Sequence, residues 1–180
     1  MPVSVGRRLE KELDGDATPS SRNELLFLVK EVSRRCGRAK VEDLLSRRDY
    51  SSSELAERLR RDGYSGVLVE ELVTRALECG LVNDARYGAA FARSKVACGW
   101  GRVKIERELE RRGVPVSSVE GWPEEFFSED EEREHARLLA SRRRVTGKND
   151  YEKTVRFLVG RGYGYALSSE VARDILRGED

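Results

Sequence analysis

Cysteine, histidine, proline and aromatic residues are all scarce in this 180-residue chain: three Cys, one His, four Pro, and 7% Phe, Trp and Tyr together. Cys36, Cys79 and Cys98 form an odd, widely spaced set, and the single histidine, His135, is remote from each of them, so no zinc-ligand spacing exists. Each Cys directly precedes a Gly. That places all three at helix ends as small apolar residues and predicts reduced structural thiols rather than a disulfide framework. Long apolar runs are missing too. Leu25 to Val29 is the longest, far short of the roughly 18 to 20 residues that cross a bilayer. The start, with Arg7 and Arg8 leading into Leu9, Glu10 and Lys11, lacks the apolar stretch of a signal peptide. A cytoplasmic protein with no membrane partner is expected.

Catalytic signatures are equally thin. No nucleophile with a base, paired pocket carboxylates, metal cluster or phosphate-gripping loop can be picked out. Gly99-Trp100-Gly101 lacks a third spaced glycine and a preceding strand, and it reads as a helix-to-helix corner with Trp100 packed there rather than stacked on a base. His135, between Glu134 and Ala136, reads as a surface side chain. No enzyme activity, cofactor or metal is expected.

What the chain does have is charge: 34 Lys and Arg against 33 Asp and Glu, 37% of all residues, at a net +1. With only 38% hydrophobic residues, this favours thin helical layers over a thick core. Helix starts are marked where Ser21, Ser51, Ser128 and Asn149 stand three residues before Glu24, Glu54, Glu131 and Glu152, the spacing of a capping box. Helix stops recur as Leu59 with Gly63-Tyr64, Leu109 with Gly113-Val114, and Leu158 with Gly162-Tyr163. A left-handed glycine followed by an apolar residue that folds back on the leucine is a Schellman ending. These glycines lie 50 and 49 residues apart, the mark of a repeat.

The resulting organisation is all-α: three tandem three-helix, helix-turn-helix-like repeats forming an elongated, curved array. Residues 1–20 read as a flexible tail and 21–38 as an additional helix. Repeat 1 spans 39–80 and repeat 2 spans 81–121, its third helix cut short by Gly121, Trp122 and Pro123. A linker over 122–127 leads to repeat 3 at 128–177. Stacked repeats present long surfaces rather than deep pockets.

Charge is segregated locally. Glu120 to Glu134 carries a net −7, and Arg137, Arg142, Arg143, Arg144 and Lys148 follow it. Helix-dipole complementarity explains part of this pattern, and three consecutive arginines exceed it. On the second helix of repeat 2, Lys104, Arg107 and Arg111 form a stripe at i, i+3 and i+7. Repeat 3 has Lys153 and Arg156 at the matching positions, and repeat 1 has Glu54 and Glu57. The scaffold therefore does not demand cations there. Lys104, Arg107, Arg111, Arg142, Arg143, Arg144, Lys153 and Arg156 are candidate contacts for phosphate or an acidic surface, set against a solvated face tied by pairs such as Lys104 with Glu108.

The ordered string Leu44-Leu45-Ser46-Arg47-Arg48, Ser52 or Ser53 with Glu54-Leu55, Leu59 and Gly63 resembles the RecX family of bacterial recombination regulators. The likeness continues through Gly80-Leu81-Val82-Asn83-Asp84, Tyr87, Phe91, Gly99, Gly101, Ile105, Leu109 and Gly113-Val114, and more loosely to Gly162-Tyr163; Gly88 stands where the family usually has Ala. The resemblance implies a non-enzymatic monomer of three-helix repeats that lies in the groove of a RecA filament on single-stranded DNA. There it would inhibit ATP hydrolysis, strand exchange and SOS co-protease activity. The competing expectation is a helix-turn-helix regulator that binds DNA directly. The +1 net charge and the absence of a dimer heptad argue against it.

Overall fold

The computed structural model describes residues 1–14, 19–143, 147 and 149–177. Among them every regular element is helical: α1 (Val3–Leu13), α2 (Arg22–Leu45), α3 (Ser52–Arg61), α4 (Gly66–Glu78), α5 (Asp84–Ala97), α6 (Arg102–Arg111), α7 (Glu129–Ser141), α8 (Asp150–Arg161) and α9 (Tyr165–Arg177), with one 3-10 turn at Val116–Ser118. None of these helices is long and apolar enough to cross a membrane. The chain divides after Asp84 into two compact units.

The local signals operate as chemistry requires. Ser21, Ser51 and Ser128 accept the backbone N–H of Glu24, Glu54 and Glu131, and at Ser128 the reciprocal bond completes the capping box. Asn149 does not cap. It sits at φ 55° in the left-handed region, and Asp150 instead accepts the N–H of Gly147. Gly63, Gly113 and Gly162 have φ of 93°, 69° and 99°. The N–H of the residue after each reaches the fully buried leucine five residues back: Tyr64 to Leu59 at 3.2 Å, Val114 to Leu109 at 2.9 Å and Tyr163 to Leu158 at 3.1 Å.

In unit 1, two expectations fail. Residues 1–20 are not simply a loose tail, because Val3–Leu13 is a helix whose Val5 and Leu9 are buried in the core with Val32, Leu55, Leu59 and Tyr64. Arg35 of α2 pairs with Glu12 at 2.8 Å across the α1–α2 contact. Burying two such side chains contributes roughly 1.5 to 3 kcal/mol each, enough to order a short helix that would be marginal alone. Nor does a helix end near residue 38. α2 runs unbroken to Leu45, so Cys36 lies mid-helix, while Cys79 caps α4 and Cys98 follows α5. Gly37 is a crossing point rather than a stop, since a Cβ there would come within 2.6 Å of Leu72 Cδ1 on α4.

Unit 2 centres on Ile105, Leu109 and Val114, with Leu158, Tyr163 and Val171 forming a second cluster. The third helix expected in repeat 2 is reduced to the 3-10 turn. Val119 fills its place, packing where a Cβ on Gly88 would stand only 2.7 Å away. Residues 122–127 are not a bare linker. Trp122 packs on Phe126 and Phe127 with ring centroids 5.3 and 5.6 Å apart, and its indole N–H donates to Glu106.

The Gly99-Trp100-Gly101 corner is a socket. The N–H groups of Gly101 and Val103, at the start of α6, donate to the carbonyls of Arg161 and Gly162, at the end of α8, at 2.9 and 3.0 Å. The Arg102 N–H faces the half-buried Glu132 carboxylate of α7. Burial pushes that carboxyl above its usual range, with the Arg102 amide opposing the shift. Tyr163 is buried against the corner, its hydroxyl 3.5 Å from the Gly99 carbonyl, and desolvation raises it to about 12. Repeat 1 has a simpler counterpart: Asp84, the first residue of α5, accepts the N–H and hydroxyl of Ser52 at the start of α3, at 2.7 and 2.6 Å.

The contact leaves no room for side chains. A Cβ at Gly101 would lie 2.4 Å from the Gly162 carbonyl carbon, and one at Gly162 would lie 2.3 Å from the Lys104 Cβ. At Gly63 the nearest atom would be 3.5 Å away. Gly63→Ala should therefore cost only the left-handed strain, about 1 kcal/mol, whereas Gly162→Ala, with strain and overlap together, should cost about 3 kcal/mol. Urea unfolding of the two variants checks this; equal midpoints would contradict the socket.

Candidate interaction surface

Seven of the eight cations singled out by pattern fall in unit 2 on α6 (Lys104, Arg107, Arg111), just past the end of α7 (Arg142, Arg143) and on α8 (Lys153, Arg156). Arg144, like Lys148, lies outside the described residues.

Four of the remaining seven are engaged within the fold. The stem of Lys104 lies over Gly162, and its ammonium sits 4.2 Å from the Trp100 ring centroid. The expected Lys104–Glu108 pair gives way to Arg111 and Arg112, which both bond Glu108, at 2.7 and 3.0 Å. A guanidinium offers a carboxylate a planar fork that an ammonium lacks. Arg143 donates to the Lys153 carbonyl at 2.9 Å and covers the Phe157 ring, tying the end of α7 to α8. Lys153 approaches Asp150 at 3.7 Å.

Arg107, Arg142 and Arg156 differ from these. Each is exposed and has no hydrogen-bond or ion-pair partner among the described residues. They are the cations that can meet an outside anion without losing an internal contact. At the matching positions of unit 1, Glu54 and Glu57 are paired with Arg48 and Arg61 at 2.9 and 2.8 Å.

Pattern reading missed a cation–aromatic ladder across α5 and α6. Tyr87 and Phe91 stack at 6.4 Å, Phe91 meets Trp100 edge to face, Lys95 lies near the Phe91 and Trp100 rings, and Arg112 covers Phe91 while donating to the Tyr87 hydroxyl at 2.6 Å. The signal was present as i, i+4 spacings: Tyr87 to Phe91, Phe91 to Lys95, Trp100 to Lys104. Trp100 packs at its corner, as the sequence indicates.

Hydrogen bonding from Arg111, with Arg112 adding to it against partial burial, lowers Glu108 to about 2 from an ordinary 4.5. A carboxyl depressed on folding stabilises the fold above its unfolded pKa, and that contribution fades as pH falls from about 4.5 toward 2. Glu108→Gln should lower the unfolding midpoint at pH 7, and the gap to the parent should close between pH 4.5 and 2. A gap independent of pH would contradict the pairing.

Comparison with known proteins places this geometry. The description "RecX, first three-helix domain" matches residues 38–75, and "RecX, second three-helix domain" matches 83–120. The chain is 37% identical over 124 residues to regulatory protein RecX of Chromohalobacter salexigens, covering 68% of this chain and 81% of that one. It is 31% identical over 174 residues to regulatory protein RecX of Streptomyces coelicolor, covering 93% and 92%. In fold it is similar to the crystal structure of RecX from Lactobacillus salivarius, with a TM-score of 0.68 at 16% identity over 81% of this chain and 97% of that one. A second crystal structure, of regulatory protein RecX, gives 0.72 at 17% identity over 94% and 85%. By the extent and identity of these matches, the chain belongs to the RecX family of regulatory proteins.

Proposed function

We propose that this chain binds a RecA recombinase filament on single-stranded DNA and restrains its ATP hydrolysis, strand exchange and co-protease activity in recombination and the SOS response. Family membership carries the reading: the relatives are named regulatory proteins, and the family likeness implies RecA as the regulated partner. The chain's own contribution is a surface, not a reaction. Arg107 on α6, Arg156 on α8 and Arg142 after α7 reach outward without internal partners among the described residues. They suit an acidic protein wall or DNA phosphates. Lys104 and Arg143, engaged with Trp100 and Phe157, serve as supports that hold α6 and α8 in place.

The test is RecA ATPase on single-stranded DNA, measured over a range of salt with the parent and with Arg107→Glu/Arg156→Glu. The parent should inhibit, and the double variant should inhibit several-fold more weakly with a flatter salt dependence, because fewer ions are displaced or screened on binding. Glu57→Lys in unit 1 should inhibit like the parent. No effect of the folded parent on RecA overturns the reading. A sequence-selective shift of duplex DNA without RecA would transfer it to a direct DNA-binding regulator.

A further inference from the structure

Unit 1 contains an open groove of about 740 Å³ along α2 and α4 that neither the helix caps nor the repeat joints use. Its floor is apolar: Val41 of α2 with Leu72 and Ala76 of α4, the small Ala76 leaving depth. Its lips include Val67, 78% exposed, and Leu81, 54% exposed. Contiguous apolar surface left open to water marks an interaction site more often than a structural need.

The charges on the rim describe the occupant. Glu42, Glu70, Glu71 and Glu78 face only Arg38 and Arg75. Glu71 is held by Arg34 at 3.0 Å, and Glu78 neutralises Arg75 at 3.4 Å. Glu42 on the α2 side and Glu70 on the α4 side remain without partners among the described residues, with Arg38 as the rim cation left over. The surplus is negative and flanks an apolar floor. From Val67 to Ala76 the groove follows α4 for about 13 Å at 1.5 Å per residue. That length accommodates about two and a half turns of a docked helix, enough for anchors at i, i+4 and i+7.

We propose that this groove receives a short amphipathic helix of a protein partner. Its apolar face seats on Leu72 and Ala76, and its Lys or Arg side chains oppose Glu42 and Glu70. The groove is lined entirely by unit 1, and the proposal does not depend on what the cations of unit 2 bind.

The experiment is selection of a phage-displayed library of random 16-residue peptides on the full chain, followed by fluorescence anisotropy with the enriched peptide. Enriched sequences should carry apolar residues at helical spacing and a net positive charge, and should gain helicity on binding. Affinity should fall at least tenfold on Glu42→Lys/Glu70→Lys and at least fivefold on Val67→Lys, all exposed positions. Should either variant misfold, Thr74→Arg, also exposed and on the groove wall, reads the same contact. An acidic consensus, full affinity retained by the folded variants, or no enriched peptide overturns the proposal.

Discussion

The carbonyls of Arg161 and Gly162 and the amides of Gly101 and Val103 form the contact on which unit 2 depends. Every helix ends with acceptors and begins with donors that its own ladder cannot satisfy. Here the end of α8 and the start of α6 satisfy each other, which sets the negative end of one helix dipole against the positive end of the other. Each hydrogen bond is worth only about 1 kcal/mol net, but leaving the buried groups unpaired would cost about 1 to 3 kcal/mol each. The approach demands glycine at both 101 and 162. Around it gather Tyr163 on the Gly99 carbonyl, Leu139 against Gly99, Glu132 facing the Arg102 amide, and Lys104 laid over Gly162 onto Trp100.

That joint explains why the helices bearing the free arginines are held in register with each other. Arg107 and Arg156 project from α6 and α8, whose ends meet at the socket. Lys104, beside the joint, is absorbed by it; Arg111 and Lys153, farther along, are held by Glu108 and Asp150 on their own helices; Arg107 and Arg156 between them are left for a partner. Unit 1 differs in kind. Its equivalent helix carries paired glutamates, and its open feature is an acid-rimmed apolar groove. Repeats built from the same three-helix plan thus present surfaces of different chemistry.

What could be read from the sequence was local. The serine caps and the Leu-to-Gly endings act within a few residues, so spacing alone located Ser51, Gly63, Gly113 and Gly162. What could not be read depends on partners distant in sequence. Val5 and Leu9 stand at i, i+4 in a stretch too short to be helical alone, and α2 and the first Schellman turn supply their core. Gly37 resembles a stop until Leu72 is seen against it. The cationic stripe was legible as a pattern, but its division into supporting and free residues was not. Whether Glu108 takes Lys104 or the two arginines is settled by geometry at the end of α6, and Arg143 turns inward because Phe157 and the Lys153 carbonyl are there to receive it.

The most direct measurement is amide hydrogen exchange at Gly101 and Val103. N-terminal amides of a helix ordinarily exchange freely with water, because no intrahelical acceptor protects them. If α8 supplies the acceptors, these two amides should exchange only when unit 2 opens, with the same protection as Val155 and Leu158 inside α8. Rapid exchange at Gly101 and Val103 while Val155 and Leu158 stay protected would contradict the account.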